Sequence, residues 1–514
     1  MNCFKQLKIN PIIWITAGAS AILFLCSSAR HILFKSNAFD LGIFDQFIYL
    51  ISQGQPPFSS FVAVHALGDH GAWILYLLAL FYKISPSIYW LLLVQAISLA
   101  LGAWPTWSLA RQAGLTPPLS LAMATVYLLY PLVFNINLFD FHPEVMAVPA
   151  LLGAILAARL NRLSWFCLAL IWIMACKGAL ALTIAAMGVW LLLFEKKRLY
   201  GAIALTAGVA YFIIVTWKII PAFDGGTGPL AVRRYAYLGN SILEVILNLI
   251  LKPWLVLQPV FSFKTLEYLG LLCLPVIWGL APKYLSPLIG ALPTLMMNIL
   301  SELDSQRDLV HQYSLPILPF LIVAAIASLA AREKNRDGIE EHFKGTDRPD
   351  QTEKVSIKPE GTSHHFGSLI PQLITNFEFP IASPLFPKFI ILWSLISFLI
   401  LGKYGYFWTI YADALDTWQA TREAVSFVQT KGNVLTTADI ASHLTHRPIV
   451  KLTKNYEPPS DLTSFSYVLL NLRHPGWNSD REFVTRLINQ LKNHPQFQLK
   501  YQRDEVFLFT KTSK

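Results

Sequence analysis

Long apolar segments recur along most of this chain, and they constrain its fold more than any other feature. The chain has 514 residues, of which 54% are hydrophobic and only 14% are charged. A soluble protein of this size could not keep so much apolar surface away from water. The first segment, residues 11–29, reaches about 28 Å as a helix and is long enough to cross the hydrocarbon core of a bilayer. The sequence therefore predicts an all-α polytopic membrane protein.

About eleven segments have the length and composition of membrane spans. They are residues 11–29, 87–110, 118–135, 143–160, 163–176, 178–194, 200–220, 264–281, 284–300, 313–331 and 388–402. Two further apolar segments, 71–84 and 241–260, are short or interrupted by charged residues or proline, so we predict interfacial or re-entrant helices there. A cleaved signal peptide is the alternative for the first segment, but its length favours an uncleaved anchor.

Basic residues flank alternate ends of these spans, as the positive-inside rule requires. The ends concerned carry Lys5, Lys8, Arg111, Arg159, Arg162, Lys196, Lys197, Arg198, Lys283, Arg332, Lys334 and Arg336. We therefore expect a multi-pass inner (plasma) membrane protein with a cytoplasmic N-terminus and an extracytoplasmic C-terminus. Because the net charge of +10 gathers at span ends, it indicates contact with membrane lipid and not with nucleic acid.

Composition divides the chain into four parts. Residues 1–331 form the transmembrane domain, with a long outer loop at 30–86. The polar residues 332–387 are predicted to be a disordered cytoplasmic loop, and 388–402 is the last span. Residues 403–514 are predicted to be a small extracytoplasmic α/β domain, because GNVLTTADI and SYVLLNL have the pattern of strands, 480–493 that of a helix and FQLKYQRDEVFLFTK that of a hairpin.

The predicted topology places most acidic and histidine clusters on the outer side. They are Asp40 and Asp45, then His65, Asp69 and His70, then Asp140, His142 and Glu144, followed by Lys177 and by the run from Glu302 to His311. Taken singly, each of these residues is more often a solvent-exposed surface residue than part of a functional site. Their coincidence on one side, however, indicates a polar or phosphorylated ligand.

A divalent metal is the cofactor that these residue types would allow. His65, Asp69, His70, Asp140, His142 and Glu144 offer the imidazole and carboxylate ligands that such an ion takes at about 2.0–2.3 Å. Their spacing fixes no geometry.

Several motifs resemble a family of polytopic bacterial membrane proteins, a domain of unknown function related to the GT-C glycosyltransferase superfamily. The motifs are FDLGIFDQ after the first span, the HALGDH segment, the FHPE turn, HQYSLPILPF and GNVLTTADIASHLTHRPIV. Apart from the polar loop at 332–387, the resemblance extends over most of the chain. It implies a GT-C-like fold.

The resemblance also implies a chemistry. GT-C enzymes use a polyprenyl-phosphate sugar donor and an acidic residue in the first outer loop, a role that falls here to Asp40, with Asp45 as the alternative. The superfamily often has an Asp-Glu or Asp-x-Asp pair at this point, whereas Leu41 follows Asp40 in this sequence.

Transfer from such a donor requires a base for the acceptor hydroxyl and positive charge beside the leaving phosphate. The candidates for substrate and phosphate binding are Lys177, Arg233, Arg234, Arg307, His311, Gln312 and Tyr313. The acceptor is unknown.

Two other classes of function fit the same sequence. A transporter of a polar or lipid-linked solute would also place polar groups near helix ends, although no paired interrupted segments indicate inverted repeats. A non-enzymatic scaffold would use the C-terminal domain to bind a partner. In that domain, His443 and His446 are more typical of structural residues than of ligands.

Overall fold

The computed structural model describes residues 11–225, 230–346, 385–457 and 461–512. Between residues 11 and 225 the helices are α1 (Pro11–Ile32), α2 (Ile43–Ser52), α3 (Ala66–Asp69), α4 (Ile74–Ile84), α5 (Tyr89–Leu101), α6 (Ala103–Gln112), α7 (Pro117–Leu128), α8 (Pro131–Leu138), α9 (Ala147–Arg159), α10 (Leu163–Cys176), α11 (Leu180–Leu193), α12 (Arg198–Ile214) and α13 (Ile220–Phe223). They continue with α14 (Ile242–Leu251), α15 (Trp254–Val260), α16 (Phe263–Cys273), α17 (Leu292–Leu300), α18 (Leu318–Thr346) and α19 (Phe386–Leu401).

Helical structure lies at every one of the predicted spans. Among the described residues, five helical segments are long and apolar enough to cross a membrane alone: Pro11–Ile32, Tyr89–Gln112, Pro117–Leu138, Arg198–Phe223 and Asp304–Lys334. The other predicted spans consist of shorter or broken helices. Proline accounts for several of these breaks, because a proline such as Pro131 favours the first position of a new helix.

The two segments predicted to be interfacial are indeed not single straight spans. Helix α4 has only 11 residues. Helices α14 and α15 meet at a bend of 87°, next to Pro253, the residue before α15. The bend follows from the missing backbone donor and fixed φ of proline.

The predicted boundary of the disordered loop is wrong at its N-terminal end. Helix α18 continues to Thr346, so residues 332–346 are helical. Residues 347–384 lie outside the described part of the chain. At the other end of the predicted loop, helix α19 begins at Phe386.

The outer loop between α1 and α5 is largely structured. A short antiparallel pair of strands, β1 (Phe58–Ser59) and β2 (Val64–His65), joins α2 to α3. A π-helical turn at Ala38–Gly42 precedes α2, and the side chain of Asn37 caps it by accepting from the backbone N–H of Phe39 at 2.9 Å. This capped turn carries Asp40.

The C-terminal domain has the α/β architecture predicted for it. Its helices are α20 (Tyr406–Thr409), α21 (Trp418–Ser426), α22 (Ala438–Ala441) and α23 (Arg481–Lys492), and its strands are β3 (Val434–Thr436), β4 (Val450–Leu452), β5 (Tyr467–Asn471), β6 (Phe497–Arg503) and β7 (Val506–Lys511). The strand order is β4-β3-β5-β7-β6. Strand β3 runs parallel to β4 and β5, while β7 runs antiparallel to β5 and β6. Successive apolar side chains of the strands point to opposite faces of the sheet. One face packs against α21 and the other against α23.

The C-terminal domain packs directly on the outer loop. Gln46 donates to the carbonyl oxygens of Arg447 and Pro448 at 3.1 and 3.2 Å. The imidazole of His443 stacks on that of His31 with centroids 3.9 Å apart. These contacts fix the sheet above the turn that carries Asp40.

Candidate active site

Asp40 and His142 form the centre of the outer cluster. Nε2 of His142 lies 3.1 Å from Oδ1 of Asp40. The side chain of Asp40 is 16% exposed, whereas that of His142 is 3% exposed. The carboxylate therefore keeps a surface that a ligand can reach, while the imidazole beneath it is enclosed.

The turn between α8 and α9 holds His142 in place. Asp140 has a φ of +89°, a strained conformation for a residue with a side chain. Its carboxylate forms an ion pair with Arg30 and accepts from the backbone N–H of Asn37 at 2.7 Å. Its carbonyl oxygen lies 3.3 Å from Nδ1 of His142, and the backbone N–H of His142 donates to Oε1 of Gln95 at 3.2 Å.

Both ring nitrogens of His142 face acceptor oxygens, a carbonyl and a carboxylate. The doubly protonated imidazolium is the form that donates to both. Burial disfavours that charged form, but the hydrogen bond and charge of Asp40, aided by Glu144, outweigh burial and raise the pKa of His142 above its ordinary value. His142 thus donates a hydrogen bond to the carboxylate of Asp40 and orients it.

Two cations flank one aromatic ring beside this pair. Lys177, in the break between α10 and α11, forms an ion pair with the buried Glu144. Its Nζ lies 5.9 Å from the ring centroid of Tyr313, and the guanidinium carbon of Arg234 lies 5.1 Å from the same centroid. Oε2 of Glu144 has no hydrogen-bond partner among the described residues. The positive charges of Lys177 and Arg234 repel each other, and an anion bound between them would relieve this repulsion.

Asp69 and His70 border the same cations. Nδ1 of His70 lies 2.5 Å from Oδ2 of Asp69, and the carbonyl oxygen of His70 accepts from the backbone N–H of Gly178 at 2.9 Å. Burial alone would raise the pKa of Asp69, but His70, Lys177 and Arg234 lower it below its ordinary value. Asp69 is therefore, after Glu144, the second negatively charged side chain beside these cations.

His311 and Gln312 line the part of the site next to Phe139. The ring of Phe139 stacks on His142 at 5.6 Å and contacts His311 edge-on at 4.3 Å. Nδ1 of His311 lies 2.6 Å from Oδ2 of Asp308. Gln312 is buried, and its Oε1 has no hydrogen-bond partner in the described chain.

Asp45 does not belong to this site, although the sequence offered it as the alternative to Asp40. Its side chain is only 1% exposed. Its two oxygens contact the hydroxyl of Tyr82 at 2.5 Å, the hydroxyl of Thr445, and Nε2 of His446 at 3.2 Å. Asp45 joins the outer loop to the C-terminal domain, and no acceptor could reach it.

Three other predicted site residues also lie elsewhere. His65 caps α3 by accepting from the backbone N–H of Leu67 and stacks on Phe223. Arg233 faces a separate cavity of about 610 Å³, which is also lined by Trp217, by Pro221 of α13 and by Ile242 of α14. Arg307 pairs with the exposed Asp304 at 3.0 Å.

The six candidate metal ligands do not assemble. Within the described residues, no group of three or more His, Cys, Asp or Glu side chains converges as a metal site requires. Asp140 is held by Arg30 and Glu144 by Lys177. The described residues therefore do not form a preassembled set of three protein ligands, and the divalent ion stays a prediction from the sequence.

Sequence reasoning missed Arg30, Gln95 and the aromatic residues Phe39 and Phe139. A signal for Arg30 was available, since a basic residue at the end of α1 predicted to be extracytoplasmic contravenes the positive-inside rule and calls for a buried partner. Oε1 of Gln95 accepts from the backbone N–H of His142, and a contact of this kind leaves no signal in the sequence.

Comparison with known protein families identifies the family of this chain. Residues 30–508 match the profile of DUF2079, described as a predicted membrane protein. The match spans most of the sequence, so the chain belongs to this family. No curated protein sequence matches the chain.

The fold also has counterparts among solved structures. ArnT from Cupriavidus metallidurans bound to undecaprenyl phosphate superimposes with a TM-score of 0.51 at 12% identity, over 98% of this chain and 99% of ArnT. The apo form of ArnT gives 0.52 at 10% identity over 97% of both chains. An archaeal oligosaccharyltransferase, AglB from Archaeoglobus fulgidus, gives 0.40 at 11% identity, over 97% of this chain and 74% of AglB. The likeness to ArnT confirms the predicted relation to the GT-C fold.

Proposed function

We propose that this member of the DUF2079 family is a glycosyltransferase that transfers a sugar from a polyprenyl-phosphate donor to an acceptor hydroxyl at the membrane surface. The observation that carries the proposal is the juxtaposition of a reachable carboxylate, Asp40, with two cations grouped around Tyr313. The fold in which they lie is similar to that of ArnT, which was solved with undecaprenyl phosphate.

Asp40 is the base in this proposal. The acceptor oxygen forms a bond to C1 of the donor sugar as the bond between C1 and the phosphate oxygen breaks. Asp40 takes the acceptor proton, and the polyprenyl phosphate leaves with the bonding electrons. The imidazolium of His142 keeps the carboxylate oriented until the proton arrives.

Lys177 and Arg234 are the phosphate ligands in this proposal. A lipid phosphate gains charge as it departs, and preorganised cations stabilise that charge. Arg234 offers a planar fork to two phosphate oxygens, whereas Lys177 acts as a point charge that Glu144 already positions. Tyr313 holds both cations by its ring face.

The proposed orientation follows the positive-inside pattern. Asp40 and the C-terminal domain then lie on the extracytoplasmic face of the inner membrane, and the N-terminus lies in the cytoplasm. A polyprenyl-phosphate sugar presents its head group at such a surface while its tail remains in the bilayer.

The proposal is tested with membrane vesicles that contain the protein and the native envelope acceptors. Undecaprenyl phosphates carrying a labelled hexose or pentose are added, and the release of undecaprenyl phosphate is followed. We expect release with at least one donor and a loss of about 100-fold or more in Asp40→Asn, the usual contribution of a general base. Normal release by a folded Asp40→Asn protein would overturn the mechanism. Solute uptake driven by an ion gradient, without any release, would favour transport.

A further inference from the structure

A groove of about 560 Å³ lies where α5, α9 and α10 meet, and none of its lining residues belongs to the candidate active site. On α9 the lining residues include Ala150, Gly153 and Ala157. Their spacing places these small residues on one face of the helix. A Cβ built on Gly153 meets no atom within 4 Å. The groove is therefore open above this face of α9.

Large apolar side chains border this recess. Trp165, Leu168 and Trp172 of α10 line it and are 70%, 57% and 39% exposed. Their spacing of three and four residues places them on one face of α10. Leu101 of α5 also lines the groove and is 40% exposed. In a protein that spans a membrane, such a recess faces hydrocarbon.

One end of the groove is positively charged. Arg162, in the hinge between α9 and α10, lines this end, and its side chain has no hydrogen-bond or ion-pair partner among the described residues. Nζ of Lys197 donates to Oδ1 of Asn161 at 2.7 Å, beside Arg162. Glu195 is the only acidic residue between positions 145 and 223, and it pairs with Arg159 at 2.8 Å. The charges of Arg162 and Lys197 therefore have no acidic partner within the described chain.

The dimensions of the groove favour a hydrocarbon chain over a protein helix. Small residues on one helix face can also let a partner helix approach. From Pro149 to Leu160, however, the groove follows α9 for about 17 Å. A helix about 10 Å wide would occupy about 1,300 Å³ over that length, which is more than twice the volume of the groove. A single acyl chain is much thinner than a helix.

We infer that this groove binds one anionic phospholipid, with an acyl chain along Gly153 and the phosphate on Arg162. Charge complementarity supports this occupant, because a guanidinium presents a fork to two phosphate oxygens. Basic pockets between membrane helices bind anionic head groups in this way. Helix α9 leads from the turn of His142 to the hinge of Arg162, so the head group lies in the leaflet on the side opposite to Asp40.

The phospholipid would contact both helices that carry one ion pair of the candidate site. Helix α9 begins shortly after Glu144, and α10 ends immediately before Lys177. These two residues form an ion pair. Binding should therefore raise the melting temperature of the protein. The inference does not depend on the proposed transfer.

Binding of defined lipids to the full-length protein in detergent micelles tests the inference. The probes are dioleoyl phosphatidylglycerol, which is anionic, and dioleoyl phosphatidylcholine, which is zwitterionic and has the same chains. Native mass spectrometry counts the lipids retained, and thermal unfolding at increasing lipid concentration gives the affinity. We expect one retained phosphatidylglycerol per chain, with an affinity at least about tenfold higher than that of phosphatidylcholine.

Two variants with matched controls locate the bound lipid. Arg162→Gln should weaken phosphatidylglycerol binding about tenfold, whereas Arg198→Gln, at an exposed cation that does not line the groove, should bind as the wild type does. Gly153→Leu places a side chain in the open groove and should abolish the retained lipid without loss of the fold. Gly18→Leu, at an equally open glycine of α1, should leave binding unchanged.

Several results would overturn the inference. Equal affinities for the two lipids, or equal losses in Arg162→Gln and Arg198→Gln, would show only a general attraction of lipid to a positive surface. Unchanged binding in a folded Gly153→Leu protein would place the lipid elsewhere. A dimer of the wild type that Gly153→Leu dissociates would assign the groove to a helix of a second copy. Should Gly153→Leu fail to fold, the comparison of the two arginine variants decides.

Discussion

Nε2 of His142 lies 3.1 Å from Oδ1 of Asp40, although 102 positions separate the two residues in the sequence. The contact brings together the loop after the first helix and the turn after α8. Both residues therefore belong to one compartment, as a shared site requires. Everything proposed for this protein depends on this pair and on the cations next to it.

The His142–Asp40 contact should make stability depend on pH. The pKa of His142 is raised in the folded protein, so the folded state holds this proton more tightly than the unfolded chain. The contact is then fully stabilising below the ordinary imidazole pKa of about 6.5, and its contribution is lost as the pH rises through the raised value.

We therefore expect His142→Gln to lower the melting temperature most at about pH 5.5 and least at about pH 9. Thermal unfolding of the purified protein at several pH values measures the difference. A deficit that stays constant over this range would show that folding leaves the pKa of His142 unchanged, which would contradict the charged contact with Asp40.

Arg234 and its neighbour Arg233 provide a matched pair. Arg234 lies over Tyr313, whereas Arg233 faces the separate cavity near α14. We expect Arg234→Met to weaken binding of undecaprenyl phosphate by about tenfold or more, because a charge-assisted hydrogen bond contributes about 1.5–3 kcal/mol. Arg233→Met should bind normally. Ligand-induced thermal stabilisation measures both affinities, and equal losses in the two variants would contradict the assignment.

Substitution of Asp45 should lower the stability of the protein, whereas substitution of Asp40 should remove its transfer activity. In Asp45→Asn an amide nitrogen replaces an acceptor oxygen that faces Tyr82, Thr445 or His446. Breaking such a buried arrangement costs about 3–5 kcal/mol. We expect Asp45→Asn to unfold at a much lower temperature, while Asp40→Asn remains near the wild type and loses transfer. The reverse pattern would mean that the two carboxylates had been assigned the wrong roles.

Gly178 allows the close approach of the Lys177 turn to Val215. A Cβ at this position would lie 2.8 Å from Cγ2 of Val215 but 3.5 Å from the carbonyl oxygen of His70, an ordinary contact. Gly178→Ala should therefore cost about 1–3 kcal/mol by overpacking. The double variant Gly178→Ala/Val215→Ala should recover most of this loss in thermal unfolding and in binding of undecaprenyl phosphate. Failure of the second substitution to restore either would indicate that the backbone at Gly178, and not space, matters.

Local patterns in the sequence predicted much of the fold. The apolar segments became helices, and the continuous apolar runs within 467–471 and 506–511 became buried strands. The short strand Val450–Leu452 was missed, because three residues carry too little alternation to identify it. Helix α18 continued beyond the predicted boundary, since residues 332–346 include no proline and are mostly charged residues that a helix can carry into water.

The candidate site was predictable in part of its membership but not in its pairing. The pattern of basic residues placed Asp40, Asp69, His142 and Lys177 on one side. It could not show that Asp45, five residues after Asp40, turns away to bind Thr445. Such pairings depend on contacts across hundreds of residues, about which local periodicity holds no information.

A structure determined with undecaprenyl phosphate in a lipid bilayer tests the central claim most directly. We predict the phosphorus between Lys177 and Arg234, with Asp40 open to the side from which an acceptor would approach. A phosphate bound instead in the cavity of Arg233, with Lys177 and Arg234 left in contact only with Glu144, Asp69 and Tyr313, would contradict the proposed site.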